Sequence, residues 1–319
     1  MLDYQLLMIE NLIAYLFRFL NEDFVSKMRK NWVLWGCLLL FCGGLSGCFR
    51  SWHMTDRELK RRFANQPQKP IYHTIENDTL QLFVATLGSD TLPPLLLIHG
   101  APGGWYGYVR MFEDTVLLAR YQVIAIDRLG YNHSKHKRQR FVTSVEMHAR
   151  TAAMALVFNK SKQKGVLLGR SYGAPIAAKI AVLNPDRFER LIMLASAIDP
   201  EQEKFWWFSK LAKRWLVRVF LSNKINAATF EKFAHVAELR KLESDWPQLQ
   251  LPTVFVQGGK DWIVNPGNLD YARRKMTNNH AARFIFLPEA GHLLSNTHSD
   301  LVRELIVEPQ TSKLSSAKP

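Results

Sequence analysis

Three side chains of this chain are of the types that acyl chemistry needs: Ser171, Asp261 and His292. Ser171 stands in Gly169-Arg170-Ser171-Tyr172-Gly173, directly after the apolar run 165–168 and before the small-residue stretch 174–181. That pattern predicts a strand, a sharp turn and a helix. Gly-x-Ser-x-Gly at such a turn describes a nucleophile elbow, in which the bend lifts the serine hydroxyl out of a sheet and the glycines relieve clashes. A serine alcohol is a poor nucleophile near neutral pH. It needs a base within hydrogen-bond reach and a carboxylate that holds the base in the right tautomer.

Both lie downstream. The strand-like run 252–257 leads into Gly258-Gly259-Lys260-Asp261-Trp262, which puts Asp261 just past a strand end. The run 282–287 leads into Pro288-Glu289-Ala290-Gly291-His292, which puts His292, the candidate base, on a loop after the last strand. Upstream, the apolar run 93–98 breaks into His99-Gly100-Ala101-Pro102-Gly103-Gly104. A glycine-rich loop of this kind aims backbone N–H groups, so Ala101 and Tyr172 are the candidate donors to the oxyanion of a tetrahedral intermediate. Asp199, at the end of a preceding strand, is a fallback acid. Arg170 reads as a brace of the elbow, with a substrate carboxylate as its alternative partner, and His99 as a residue that orders its loop.

These segments resemble those of the α/β-hydrolase superfamily over residues 69–308, and the order Ser171, Asp261, His292 is the one described for that arrangement. The HGxPGG loop resembles the prolyl aminopeptidase and C–C hydrolase branches. Asp127-Arg128-Leu129-Gly130-Tyr131-Asn132-His133-Ser134 is similar to their DRPGYGxS loop, with Leu129 where proline is usual and Asn132 where glycine is usual. In that resemblance Asp127 belongs to the loop and is structural.

The elements needed to position such residues are legible independently. Runs 71–75 and 80–85 predict a hairpin. Strands are predicted at 95–98, 123–126, 166–168, 191–194, 254–256 and 284–287, several continuously apolar, as burial on both faces of a parallel sheet requires. Thr143 followed by Glu146 reads as a capping box that starts a helix carrying Met147, Met154 and Leu156 toward the core. The alternation predicts an α/β fold: a mostly parallel, doubly wound sheet with a small helical cap inserted before the acid-bearing strand.

That cap, about 199–249, is predicted to hold two helices, 201–221 and 227–242. The first mixes Phe205, Trp206, Trp207, Phe208 and Trp215 with Lys204, Lys210, Lys213, Arg214 and Arg218. The plain expectation is a helix packed on the main domain with a solvated basic face. An acyl or aryl pocket, for which Trp206, Phe208 and Trp262 are the candidates, and contact with an anionic membrane are the alternatives.

The N-terminal region carries a second signal. Met28-Arg29-Lys30 is a basic start, residues 32–44 are an apolar core, and Leu45-Ser46-Gly47-Cys48 closes it with small residues. This is the three-part form of a secretory signal, and its end resembles the bacterial lipobox, which implies cleavage before Cys48 and lipid on its sulfur. Residues 28–47 are then the signal, 48–68 a tether with some helix, 309–319 a disordered tail, and 1–27 a misassigned upstream extension. Cys37 and Cys42 fall inside the signal, so Cys48 alone is left and no disulfide framework forms.

The net charge is 42 − 28 = +14 over the 319 residues, and residues 1–47 contribute 4 − 4 = 0, so the excess belongs to the rest. It is scattered without a nucleic-acid recognition motif, so no nucleic acid is expected. The cluster Lys135, Lys137, Arg138 and Arg140 is a candidate membrane-facing patch. No HExxH, Cys/His cluster, Walker loop or GxGxxG after a strand is present, so no metal or cofactor is expected.

The expectation is a membrane-tethered bacterial serine hydrolase of the cell envelope, its catalytic domain outside the cytoplasm, acting on a small-molecule ester through an acyl-enzyme. Aminopeptidase or C–C bond hydrolysis, and a non-catalytic binding module of the same fold, are the alternatives. No acidic cap residues stand out for binding an amine.

Overall fold

The computed structural model describes residues 54–205 and 212–308, all within a unit that begins at His53. Nine strands form one sheet: β1 Ile71–Glu76, β2 Leu80–Leu87, β3 Pro94–Ile98, β4 Gln122–Ile126, β5 Lys135–His136, β6 Gly165–Arg170, β7 Phe188–Leu194, β8 Thr253–Gly258 and β9 Arg283–Leu287. Their order is β1-β2-β4-β3-β6-β7-β8-β9, with β5 on the edge of β2. β2 pairs antiparallel with β1, β4 and β5; from β4 to β9 every pairing is parallel. Ten helices accompany them among the described residues: α1 Asp56–Arg62, α2 Val109–Phe112, α3 Thr115–Leu118, α4 Val145–Ala153, α5 Gly173–Leu183, α6 Trp215–Arg218, α7 Asn223–Lys241, α8 Asn268–Lys275, α9 Leu294–Thr297 and α10 Ser299–Val307.

The sheet is covered on both faces, and the period of two along each strand divides its residues between them. Leu96, Ile98, Ile124, Ile126 and Leu167 pack with Val145 and Ala149 of α4 and with the alanines of α5. Their neighbours Leu95, Leu97, Val123, Ala125 and Val166 pack with Leu117 of α3 and with Val302, Leu305 and Ile306 of α10. This is why β3, β4 and β6 read as unbroken apolar runs.

The expected doubly wound sheet is present, and four local expectations differ. The cap of α4 is Ser144, one residue later than expected, whose Oγ accepts from the Met147 N–H at 3.2 Å. β5 lies in the basic cluster, where charge hid its pairing with Leu80 and Gln81 of β2. The expected helix 201–221 is not continuous: a 3-10 turn, Pro200–Gln202, is followed by non-helical residues 203–205, because the Glu203 carboxylate is drawn to Lys232 and His235 of α7. Among the residues described further on, Ala212 is helical, and a second break at Lys213 and Arg214, the latter in extended conformation, precedes α6. The second cap helix begins earlier than expected, at Asn223, with Ser222 as its N-cap.

Part of the expected tether is packed on the domain. α1 opens with a capping box, Thr55 and Glu58, and buries Leu59 and Phe63 against the sheet, while Arg62 forks onto Glu113 at 2.6 and 2.7 Å. Cys48, Trp206, Phe208, residues 1–47 and the tail 309–319 lie outside the described residues. Among the described residues no helix is long and apolar enough to cross a membrane.

Candidate active site

The elbow is built from the end of β6 and the start of α5. Ser171 has φ +55°, the left-handed conformation that side chains other than glycine rarely adopt. Its backbone is locked: the N–H donates to the Leu194 carbonyl at 2.9 Å and the carbonyl accepts from Ala174 N–H at 3.0 Å. The flanking glycines are required by distance. A Cβ on Gly173 would stand 2.2 Å from the Ile98 carbonyl oxygen, and one on Gly169 would stand 2.5 Å from the Gly173 carbonyl oxygen.

β8 and β9 bring the other two groups together. His292 Nδ1 is 2.8 Å from Asp261 Oδ2, with the Asp261 side chain fully buried and that of His292 10 % exposed. The Asp261 carboxylate also accepts from the N–H groups of Ile263 and Val264 at 3.0 and 2.9 Å and from Gln257 Nε2 at 3.2 Å. With Nδ1 tied to the carboxylate, Nε2 is the nitrogen left for a proton acceptor's role. Among the described residues no hydrogen bond yet joins it to Ser171 Oγ; such bonds often tighten only when substrate is bound. Asp199 is engaged elsewhere, capping the 3-10 turn through Glu201 N–H.

The glycine-rich loop after β3 lies against the elbow, where a Cβ on Gly100 would be 3.0 Å from Ser171 Cβ. His99 is fully buried and orders this loop. Its Nδ1 bonds the Gly100 carbonyl at 2.7 Å and its Nε2 accepts from Arg128 N–H at 2.9 Å. Burial, reinforced by the nearby Arg128 charge, pushes its pKa well below the usual imidazole range, so it is neutral. Among the described residues, no hydrogen bond uses the N–H of Ala101 or Tyr172. Arg170 braces: Nη1 donates to Ser295 Oγ at 2.8 Å and the guanidinium lies over the Tyr108 ring. Asp127 is structural, accepting from Trp105 N–H at 3.0 Å and Asn132 Nδ2 at 2.9 Å. Asn132 has φ +44°, which accounts for an asparagine where glycine is usual, since it tolerates that region best after glycine. Trp262, 55 % exposed, stands beside Asp261 on the same loop.

A buried ionic cluster was not anticipated. Arg128, after β4, forks onto Glu231 in the middle of α7 at 2.5 and 3.0 Å, and both side chains are fully buried. The same guanidinium donates to the His99 and Gly100 carbonyls at 3.0 and 3.1 Å and lies over the rings of Tyr131 and Tyr172. The Tyr131 hydroxyl and His148 Nε2 complete the shell of Glu231 at 2.5 and 3.0 Å. Burial alone would raise the Glu231 carboxyl, but Arg128 and His148 outweigh it and hold it down to about 2. The cap is thereby fastened to the loop that carries Ala101 and to the side chain of Tyr172. Gln257, beneath Asp261, was likewise unforeseen. Neither carries a sequence signal, since a lone Glu on a helix normally reads as solvated.

The family model for the alpha/beta hydrolase fold matches residues 93–244. The chain is similar to AB hydrolase superfamily protein YfhM of Bacillus subtilis, 29 % identical over 121 residues, 38 % of this chain and 41 % of that protein. It spans less than half the length of that relative. It is also 25 % identical over 269 residues to the dihydrolipoyllysine-residue acetyltransferase component of the acetoin cleaving system of Pseudomonas putida, covering 76 % of this chain and 70 % of that one. Among solved structures, the thioesterase domain from the curacin biosynthetic pathway superposes with a TM-score of 0.58 at 18 % identity, over 75 % of this chain and 99 % of that one, a likeness of fold. The chain has the α/β-hydrolase fold.

Proposed function

We propose that the protein is a serine hydrolase that cleaves a carboxylic ester through an acyl-enzyme. The observation that carries this is the strained Ser171 at the elbow, in a sheet whose loops after β8 and β9 pair Asp261 with His292 at 2.8 Å. In this reading His292 Nε2 takes the Ser171 Oγ proton as Oγ bonds to the ester carbonyl carbon, and Asp261 stabilises the imidazolium. The N–H groups of Ala101 and Tyr172 receive the oxyanion. Collapse expels the alcohol, protonated by His292, and water activated by the same imidazole releases the acid. The acyl chemistry named in the thioesterase and acetyltransferase relatives accords with this route.

An ester is favoured over a peptide N-terminus by the state of the cap carboxylates. An ammonium group would need an open one, and the buried ones are engaged: Glu231 by Arg128, Glu203 by Lys232 and His235, and Glu238 by Lys241 and the Val145 N–H. The same proposal has Cys48 lipidated and the chain held at the bacterial cell envelope. Mass spectrometry of the membrane-fraction protein tests it, since the N-terminal peptide should begin at a lipid-modified Cys48, and any peptide from residues 1–27 removes the misassigned start.

The catalytic reading is tested by incubating the protein with a fluorophosphonate and measuring intact mass. A single adduct is expected, absent in Ser171→Ala. No adduct on folded parent protein would leave a binding module as the better description.

A further inference from the structure

Two stretches of cations, far apart in sequence, meet on the surface of the cap. Residues 133–141, after β4, carry Lys135, Lys137, Arg138 and Arg140 and no carboxylate, and residues 212–224, around α6, carry Lys213, Arg214, Arg218 and Lys224 and no carboxylate. The fold joins them by an aromatic hinge: Phe141 and Phe230 stack at 4.7 Å, and Arg218 lies over both rings. Arg140 Nη2 reaches Asn223 Oδ1 at 3.2 Å. Among the described residues no carboxylate lies within ion-pair distance of Arg138, Arg140 or Arg214.

Around α6, in the same stretch as Arg214 and Arg218, large apolar side chains are exposed. Trp215 is 71 % exposed, Val219 68 % and Phe220 56 %, and the spacing of Trp215 and Val219 puts them on one side of the α6 turn. Water is a poor solvent for such a group, and a solvated basic face does not call for it. Cations around protruding Trp, Val and Phe match the two layers of an anionic bilayer: phosphates at the level of the guanidinium groups, and acyl chains a few ångströms deeper. A nucleic acid would take the charges but offer no apolar phase for Val219.

We propose that the surface made by Trp215, Val219, Phe220, Arg138, Arg140 and Arg214 docks on an anionic phospholipid bilayer. Docking seats the cap on the membrane. α7, which follows α6, is fastened through Glu231 to the loop beside Ser171, so the nucleophile is held at a set orientation to the lipid surface. That last clause rests on the hydrolase reading; the docking does not.

The test is hydrogen exchange of the peptide spanning residues 212–221 in the full-length chain, on phosphatidylcholine vesicles with and without phosphatidylglycerol. Attachment through residues 1–53 is common to both vesicle types, so the difference reports the cap. Exchange in the parent is expected to slow about tenfold on the anionic vesicles only, and the protection should vanish at high salt and in Arg138→Glu/Arg140→Glu/Arg214→Glu. Trp215→Ser/Val219→Ser/Phe220→Ser should lose it as well. Equal exchange on the two vesicle types overturns the proposal whatever the variants do. So does protection that appears without vesicles as protein concentration rises, which marks a second copy, or that a single-stranded oligonucleotide reproduces. None of these outcomes bears on whether Ser171 reacts with the fluorophosphonate, so the two readings fail separately.

Discussion

Ser171 sits where the backbone is least comfortable, and the residues around it explain how that is sustained. Gly173 faces the carbonyl oxygens of Ile98 and His99 at 2.2 and 2.7 Å from where a Cβ would be, and both are main-chain atoms that cannot turn aside. Gly173→Ala should therefore cost at least about 1–3 kcal/mol of stability in urea unfolding and, by displacing the oxyanion loop, abolish adduct formation with the fluorophosphonate. Asp261→Asn tests the orienting role. The amide would present an N–H or a weaker acceptor to His292 Nδ1, so acylation should slow by about 10⁴-fold, with the melting temperature nearly unchanged. A parent-like acylation rate in that variant would remove Asp261 from the mechanism.

α7 illustrates an inverted element. Its buried face carries Asn226, Glu231, His235 and Glu238, so the ordinary rule that the inward stripe of a helix is apolar does not hold. Glu231 is the reason it can be tolerated, because its charge is matched in place by Arg128. Glu231→Gln leaves that guanidinium buried without a counter-charge and should cost about 3–5 kcal/mol at neutral pH. The folded-state pKa of Glu231, about 2, lies below its ordinary value of 4.5. Its stabilisation is thus fully present above about pH 4.5 and is lost as pH falls toward 2. The stability gap between parent and Glu231→Gln should narrow over that window, and a gap that stays constant in denaturant titrations would show that the charge is not what stabilises the cap. The paired change Arg128→Met/Glu231→Leu should recover much of the stability, since apolar replacements often match a buried ion pair. It should not recover acylation, because the His99 and Gly100 carbonyls lose their donor.

At the scale of the molecule, one large core with a cap is completed by α1, from within the expected tether. Phe63, 3 % exposed, packs with Leu59 on the face of the sheet that α10 also covers. Phe63→Ala should destabilise the whole domain by about 3–5 kcal/mol in urea unfolding. A change of only a few tenths would return that helix to the tether. The charge excess also acts at this scale: the fold brings the cationic stretch 133–141 against the cationic stretch around α6, through Arg140 on Asn223 and Arg218 over Phe141.

The sheet, the elbow turn and the loops that carry Asp261 and His292 were legible in the amino-acid sequence because each is written locally: strands as apolar runs, the elbow as two glycines around a serine, and the loops as glycine-containing breaks just past the last two strands. Even the departure at Asn132 was visible, although its positive φ was not. What the sequence could not determine involves partners brought from a distance. Lys135–His136 pairs with β2 despite its charge, since edge pairing uses backbone groups and asks little of side chains. The break in the helix expected at 201–221 follows from Glu203 meeting α7, and the burial of Glu231 follows from Arg128, 103 residues away. A local pattern records how a segment treats water. Whether a charge can leave water depends on which opposite charge the tertiary structure sets beside it.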